Sequence, residues 1–160
     1  MARTIDVAES RTYPVPPDEA YGIVAPMPLP ALFSRGFLAL PAIRSVQGQT
    51  GPEWGAEAGH SRTIVTADGG TMRESLVSVD APRSFGYEIA RITGPMRPLV
   101  TGVEGSWRFD PDGSGTRITW SWRLEPRSPA TAPIVALIGL MWHGYARRAL
   151  ERLATELVAV

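Results

Sequence analysis

The sequence predicts a single α+β domain spanning residues 1–160: a curved antiparallel β-sheet of about seven strands wrapped around a long C-terminal α-helix, with two short helices after the first strand. Three observations lead there. Short runs of alternating apolar and polar residues recur from Thr4 to Leu124 and end at turns rich in Gly, Pro and Asp, as strands wetted on one face do. After residue 42 these runs follow one another through mostly tight turns, so neighbours in sequence are expected to be neighbours in an antiparallel meander. The one long stretch with three- and four-residue apolar spacing closes the chain, where it can cover the apolar face of the sheet.

Thr4 to Tyr13 alternates Ile5, Val7 and Glu9 against Asp6, Ala8 and Ser10, and Pro14, Pro16 and Pro17 close it. Asp18 to Val24 suits a short helix, because Pro17 fits a first turn and acidic residues are favourable at a helix N-terminus. Pro26, Pro28 and Pro30 stop it, and Pro30 to Phe33 is a second short turn, so the pair forms a V and not one rod. Strands are expected at Ala42–Gln49, Ser61–Ala67, Thr71–Val79, Ser84–Ile92, Val100–Phe109 and Thr116–Leu124. Asp68-Gly69-Gly70 marks a tight hairpin, and Asp110-Pro111-Asp112-Gly113 a turn between the last two strands. In the last strand Ile118, Trp120, Trp122 and Leu124 share one face and Arg117, Thr119, Ser121 and Arg123 the other. The closing helix, Ala132 to about Ala159, carries Val135, Ile138, Trp142, Ala146, Ala149, Leu153 and Leu157 as its apolar stripe.

Composition narrows function. With 16 basic and 16 acidic residues the net charge is zero, and no basic stripe suggests nucleic-acid binding. The absence of cysteine removes disulfides, Cys-based zinc sites and thiol catalysis, and fits a reducing cytoplasm. Met1–Val7 does not read as a signal peptide, and Ala132–Trp142 is too short to span a bilayer, so no stable membrane insertion is expected. No Gly-rich dinucleotide fingerprint or nucleophile elbow occurs. His60 and His143 are the only histidines, too few for a zinc site without cysteine, and the Asp110–Gly115 turn lacks the ligand run of a calcium loop. No metal and no cofactor are therefore expected.

The order of elements resembles the helix-grip superfamily, which includes START-type lipid carriers, birch-pollen-allergen-type proteins and bacterial polyketide cyclase/dehydrase-like proteins, the bacterial branch above all. The residues that carry it are Pro17-Asp-Glu-Ala-Tyr21, Val79-Asp-Ala-Pro-Arg-Ser-Phe-Gly-Tyr87, Gly105-Ser-Trp-Arg-Phe-Asp-Pro-Asp-Gly113, Gly115-Thr-Arg-Ile-Thr-Trp120 and the Arg-rich closing helix. The resemblance covers the whole chain. It implies a fold and an internal cavity and not one reaction, since carriers, receptors and cyclases share the fold.

On that frame Trp120 and Trp122 are expected to touch a ligand, whose oxygen atoms an indole N–H can serve. Trp107 reads as core packing that also lines the ligand space, and Ile138 and Trp142 complete the wall from the helix. Tyr87 shares a face with Phe85 and Ile89 and points inward. Arg91 has the same parity; if inside, it requires a carboxylate partner such as Glu74 or the ligand, and otherwise the strand has ended and Arg91 is solvated. Glu74 faces inward unless a bulge reverses it. His143 either hydrogen-bonds at the cavity rim, points to solvent or acts as an acid/base. Three functions follow: a carrier or sensor of an apolar or aromatic small molecule (polyketide-, lipid- or sterol-like); a cyclase or dehydratase using Tyr87, Arg91 and His143; or a partner protein using the apolar Ile134–Trp142 surface for a homodimer or membrane contact.

Overall fold

The computed structural model describes residues 3–158, so Met1, Ala2 and the expected helix end at Ala159 lie outside the described residues. The elements are β1 (Ile5–Tyr13), α1 (Pro17–Val24), α2 (Leu29–Leu32), β2 (Ile43–Gln47), β3 (Ser61–Thr66), β4 (Thr71–Asp80), β5 (Ser84–Ala90), β6 (Val100–Asp112), β7 (Gly115–Pro126) and α3 (Ala132–Leu153). The seven strands form one antiparallel sheet in the order β1-β7-β6-β5-β4-β3-β2, a helix-grip arrangement.

β2 through β7 lie side by side in chain order, as consecutive strands tend to, and β1 takes β7's outer edge. β1 and β2 are then on opposite edges, and the chain between them must cross the concave face. It does so as α1 and α2, seated by Pro17 at the first helical turn, by Asp18 and Glu19 at the positive end of the dipole, and by the Tyr21 hydroxyl, which donates to the Gly55 carbonyl at 2.7 Å.

α3 packs over β1 and β7. It lies close to the sheet at Gly139, where an added Cβ would lie 3.1 Å from Ile5 Cγ2 and 3.4 Å from Val7 Cγ1. Tyr13 donates its hydroxyl to the Leu150 carbonyl, joining β1 to the helix C-terminal half. The regular helix ends at Leu153, earlier than the apolar stripe suggests; Leu157 stays fully buried on the turns that follow. Proline at the first turn and a stripe of Val135, Ile138, Trp142, Ala146 and Ala149 account for the helix and its buried face.

Two strand boundaries differ from the pattern in the sequence. β6 runs on through the expected turn, with Asp110 paired to Arg117, Pro111 to Thr116 and Asp112 to Gly115, so only Gly113 (φ 60°) and Ser114 turn the chain. Pro111 is tolerated because β5 stops pairing at Arg108, leaving β6 one-sided there. β2 is shorter than expected, Ile43–Gln47, and is followed by a long loop in which Trp54 is buried.

Candidate functional site

The concave face holds a cavity of about 100 Å³. Its floor is built by strand alternation: Ile64 from β3, Met72 and Glu74 from β4, Phe85, Tyr87 and Ile89 from β5, Val103 and Trp107 from β6, Trp120 and Trp122 from β7. Its roof is the crossing segment, with Met27, Leu29, Phe33 and Leu40. Of α3 only Tyr145 reaches it. The space thus lies between the sheet and the α1–α2 crossing, with α3 at its side. The expectation of a void directly between sheet and terminal helix is corrected accordingly: Gly139 brings α3 flush onto β1 and β7.

Aromatic rings form the wall nearest α3. Trp107 and Trp120 are stacked at 5.2 Å between centroids, Trp122 meets Trp120 edge-on at 5.6 Å, and Phe33 lies 5.1 Å from Trp120 and 5.2 Å from Tyr145. Tyr87 organises this wall. It stands on β5 directly opposite Gly105 on β6, and its ring lies across the bare glycine, where a Cβ would overlap the ring carbons. The hydroxyl thereby crosses β6 and accepts hydrogen bonds from Trp120 Nε1 at 2.8 Å and Trp122 Nε1 at 2.9 Å. Burial is the main reason the Tyr87 phenol is pushed up from its ordinary pKa, with the nearby Glu74 carboxylate adding to the shift and the two indoles opposing it.

A polar diagonal continues from Tyr87 toward the far edge of the sheet. Glu74 pairs across β4 and β5 with Ile89, two residues from Tyr87, and across β3 and β4 with Arg62. Arg62 Nε donates to Glu74 Oε1 at 2.7 Å, and both side chains are almost wholly buried. The guanidinium also sits 3.9 Å above the Trp54 ring. Desolvation raises the Glu74 carboxyl above its ordinary range and Arg62 opposes it by charge and hydrogen bonding. An ion pair at this depth costs desolvation that its own attraction only partly returns.

The sequence-derived site residues thus separate into groups. Glu74, Tyr87, Trp107, Trp120 and Trp122 all border the cavity. The bulge in β4 lies between Leu76 and Ser78, beyond Glu74, and leaves its facing intact. Arg91 does not reach the cavity: β5 ends at Ala90, and Arg91 turns into the left-handed region (φ 51°) with its side chain in solvent. Its parity was lost with the strand. His143 is outside the cavity as well. Its Nδ1 lies 3.3 Å from Glu9 Oε2, and Arg147 Nε donates to Glu9 Oε1 at 2.6 Å, so both side chains tie α3 to β1. Ile138 and Trp142 are core residues behind the wall; Trp142 is fully buried, 4.8 Å from Trp120, and its Nε1 has no partner among the described residues. Tyr87, Arg91 and His143 do not converge.

Sequence reasoning missed Arg62, Gly105, Phe33 and Tyr145. Ser61–Thr66 carries Ile64 and Val65 on opposite faces, so its pattern gave no inward side for Arg62. Gly105 within an alternating strand was a usable signal, because a strand-interior glycine often marks a close approach by another group. Phe33 and Tyr145 became legible only once the crossing segment was placed.

Comparison with known proteins follows the same lines. A family model described as polyketide cyclase / dehydrase and lipid transport matches residues 4–158. Among solved structures, the chain is similar to Ara h 8.0201, at 16% identity and a TM-score of 0.70 over 97% of this chain and 98% of that one. It is similar to ginseng major latex-like protein 151 from Panax ginseng, at 13% identity and a TM-score of 0.69 over 98% and 99%. It is also similar to the Mll3558 protein from Rhizobium loti, at 17% identity and a TM-score of 0.67 over 97% and 98%. At these identities the likeness is one of fold. No curated protein sequence matches.

Proposed function

Because this chain belongs to the polyketide cyclase/dehydrase and lipid transport family, we propose that it binds one apolar or aromatic small molecule in the cavity between the sheet and the α1–α2 crossing, as a carrier or sensor. The observation that carries this reading is the unfilled space itself, walled by Trp107, Trp120, Phe85, Phe33 and Ile89. Ligand sites are concave and mostly apolar with a few placed polar groups, and Tyr87, Glu74 and Arg62 are such groups here.

Size limits the occupant. A cavity of about 100 Å³ is below the usual range of roughly 300–1,000 Å³ for drug-sized ligands and near that of a benzene-sized void. A sterol- or polyketide-sized molecule requires the roof to lift. Met27, Met72 and Met96 border the space, and their unbranched side chains can repack to widen it. Binding ranks above cyclisation because the three residues assembled for acid/base work lie apart: Tyr87 in the cavity, Arg91 in solvent, His143 between α3 and β1.

Titration of the protein with toluene, naphthalene and a tricyclic aromatic, read by tryptophan fluorescence and native mass spectrometry, tests the proposal. Saturable 1:1 binding of toluene, a response blunted by Ile64→Trp, and weaker binding of the larger rings are expected. The absence of saturable binding by any of the three would overturn it.

A further inference from the structure

The proposal concerns which chemistry the cavity reads, and it rests on the ligand-binding reading above. An indole N–H can only donate, and the Tyr87 oxygen receives two of them, from Trp120 and Trp122. Both acceptor positions of that oxygen are thereby used. What remains is the phenol's own proton, and no acceptor for it exists among the described residues, although Tyr87 is only 5% exposed and borders the cavity. A buried donor left without a partner is costly, and an acceptor atom on a ligand would satisfy it. The phenol does not lose the proton near neutrality, since burial pushes its pKa up.

The rest of the polar diagonal sets the charge. Arg62 spends Nε on Glu74 Oε1, and its two terminal amino groups have no protein acceptor among the described residues. Glu74 already neutralises Arg62, so a ligand anion would add an unbalanced charge to a dry site beside a carboxylate. Glu74 Oε2 also lacks a donor among the described residues, but it belongs to the buried ion pair; on the aromatic wall the free group is the Tyr87 O–H, and there the site favours an acceptor without charge.

We propose that the cavity is a site for a neutral, single-ring compound bearing a carbonyl oxygen, an aromatic ketone or aldehyde, to which Tyr87 O–H donates. The two indoles fix the direction of that O–H, and Gly105 lets the ring lie where both indoles reach it. The stacked Trp107 and Trp120 stand in the same wall as flat surfaces for the ring.

Acetophenone, ethylbenzene and benzoate test this with the full chain, each affinity compared with that compound's own water-to-alkane partition. A featureless apolar void would follow the partition. Tyr87 donation instead raises acetophenone at least about tenfold above that line relative to ethylbenzene, with benzoate binding worst at neutral pH. The infrared carbonyl stretch of bound acetophenone is expected to fall below its position in alkane. Tyr87→Phe brings acetophenone back to the line set by ethylbenzene measured in that same variant; the infrared measurement decides the matter on the unaltered protein if that variant does not fold. Acetophenone on the partition line with an unshifted carbonyl would overturn the donor assignment and leave the binding reading in place. Binding by none of the three would overturn both.

Discussion

Replacing Gly105 by alanine should damage this protein far more than a strand glycine normally warrants. A Cβ on Gly105 would overlap the Tyr87 ring carbons, so the ring must swing off β6. Its hydroxyl then leaves both indoles. Trp120 is fully buried, and an orphaned donor there costs about 1–3 kcal/mol, whereas the half-buried Trp122 can find water and costs about 0.5–1 kcal/mol. Forcing the ring into a packed wall adds about 1–3 kcal/mol. Against this, alanine recovers about 0.5–1 kcal/mol of backbone entropy. The net expectation is a loss of about 1.5–6.5 kcal/mol, read by urea unfolding followed through tryptophan fluorescence. A double-mutant cycle isolates the cause: in a Tyr87→Leu background with the ring gone, Gly105→Ala should cost under about 0.5 kcal/mol. A loss below about 1 kcal/mol in the parent, or equal losses in both backgrounds, would refute the reasoning.

Other consequences are as direct. Glu74→Gln leaves Arg62 buried without a counter-charge and should cost about 3–5 kcal/mol, while Arg62→Met with Glu74→Leu should be near neutral or stabilising, both by denaturant unfolding. Glu74's raised carboxyl gives the pH sign: above the ordinary carboxylate pKa of about 4.3 the unfolded chain has lost a proton that the folded chain still holds, so this group's contribution falls as pH climbs through the window up to its raised value. The apolar double variant should lack that slope; retention of it would assign the slope elsewhere. Gly139→Leu should lose about 1–3 kcal/mol by thermal unfolding because α3 cannot back away from Ile5 and Val7 without leaving β1. Leu137→Gln with Leu140→Gln, at positions 56% and 69% exposed, should move unfolding by less than about 0.5 kcal/mol and leave the light-scattering mass unchanged. A larger loss or a fall in mass would show that a second copy covers that helix face.

The sequence by itself determined what local geometry determines. A strand turns successive side chains to opposite faces, so Ile118, Trp120 and Leu124 had to share the covered side, and Tyr87 had to lie with Phe85 and Ile89. Turn residues pointed to β2 through β7 as a sequential meander, but such a meander has two free edges, and that β1 takes β7's and not β2's is seen only in the tertiary structure. Tertiary structure decided the rest, because the deciding interactions join residues far apart in the chain. Arg91 lost its inward parity when β5 ended one residue earlier, at Ala90, and His143 met Glu9 because α3 lies over β1. Arg62 is inside because Glu74, directly opposite it on β4, neutralises it there, and no pattern within Ser61–Thr66 encodes that partner. The cavity lies under the α1–α2 crossing and not under α3 because β1 and β2 occupy opposite edges and the chain between them has to span the concave face.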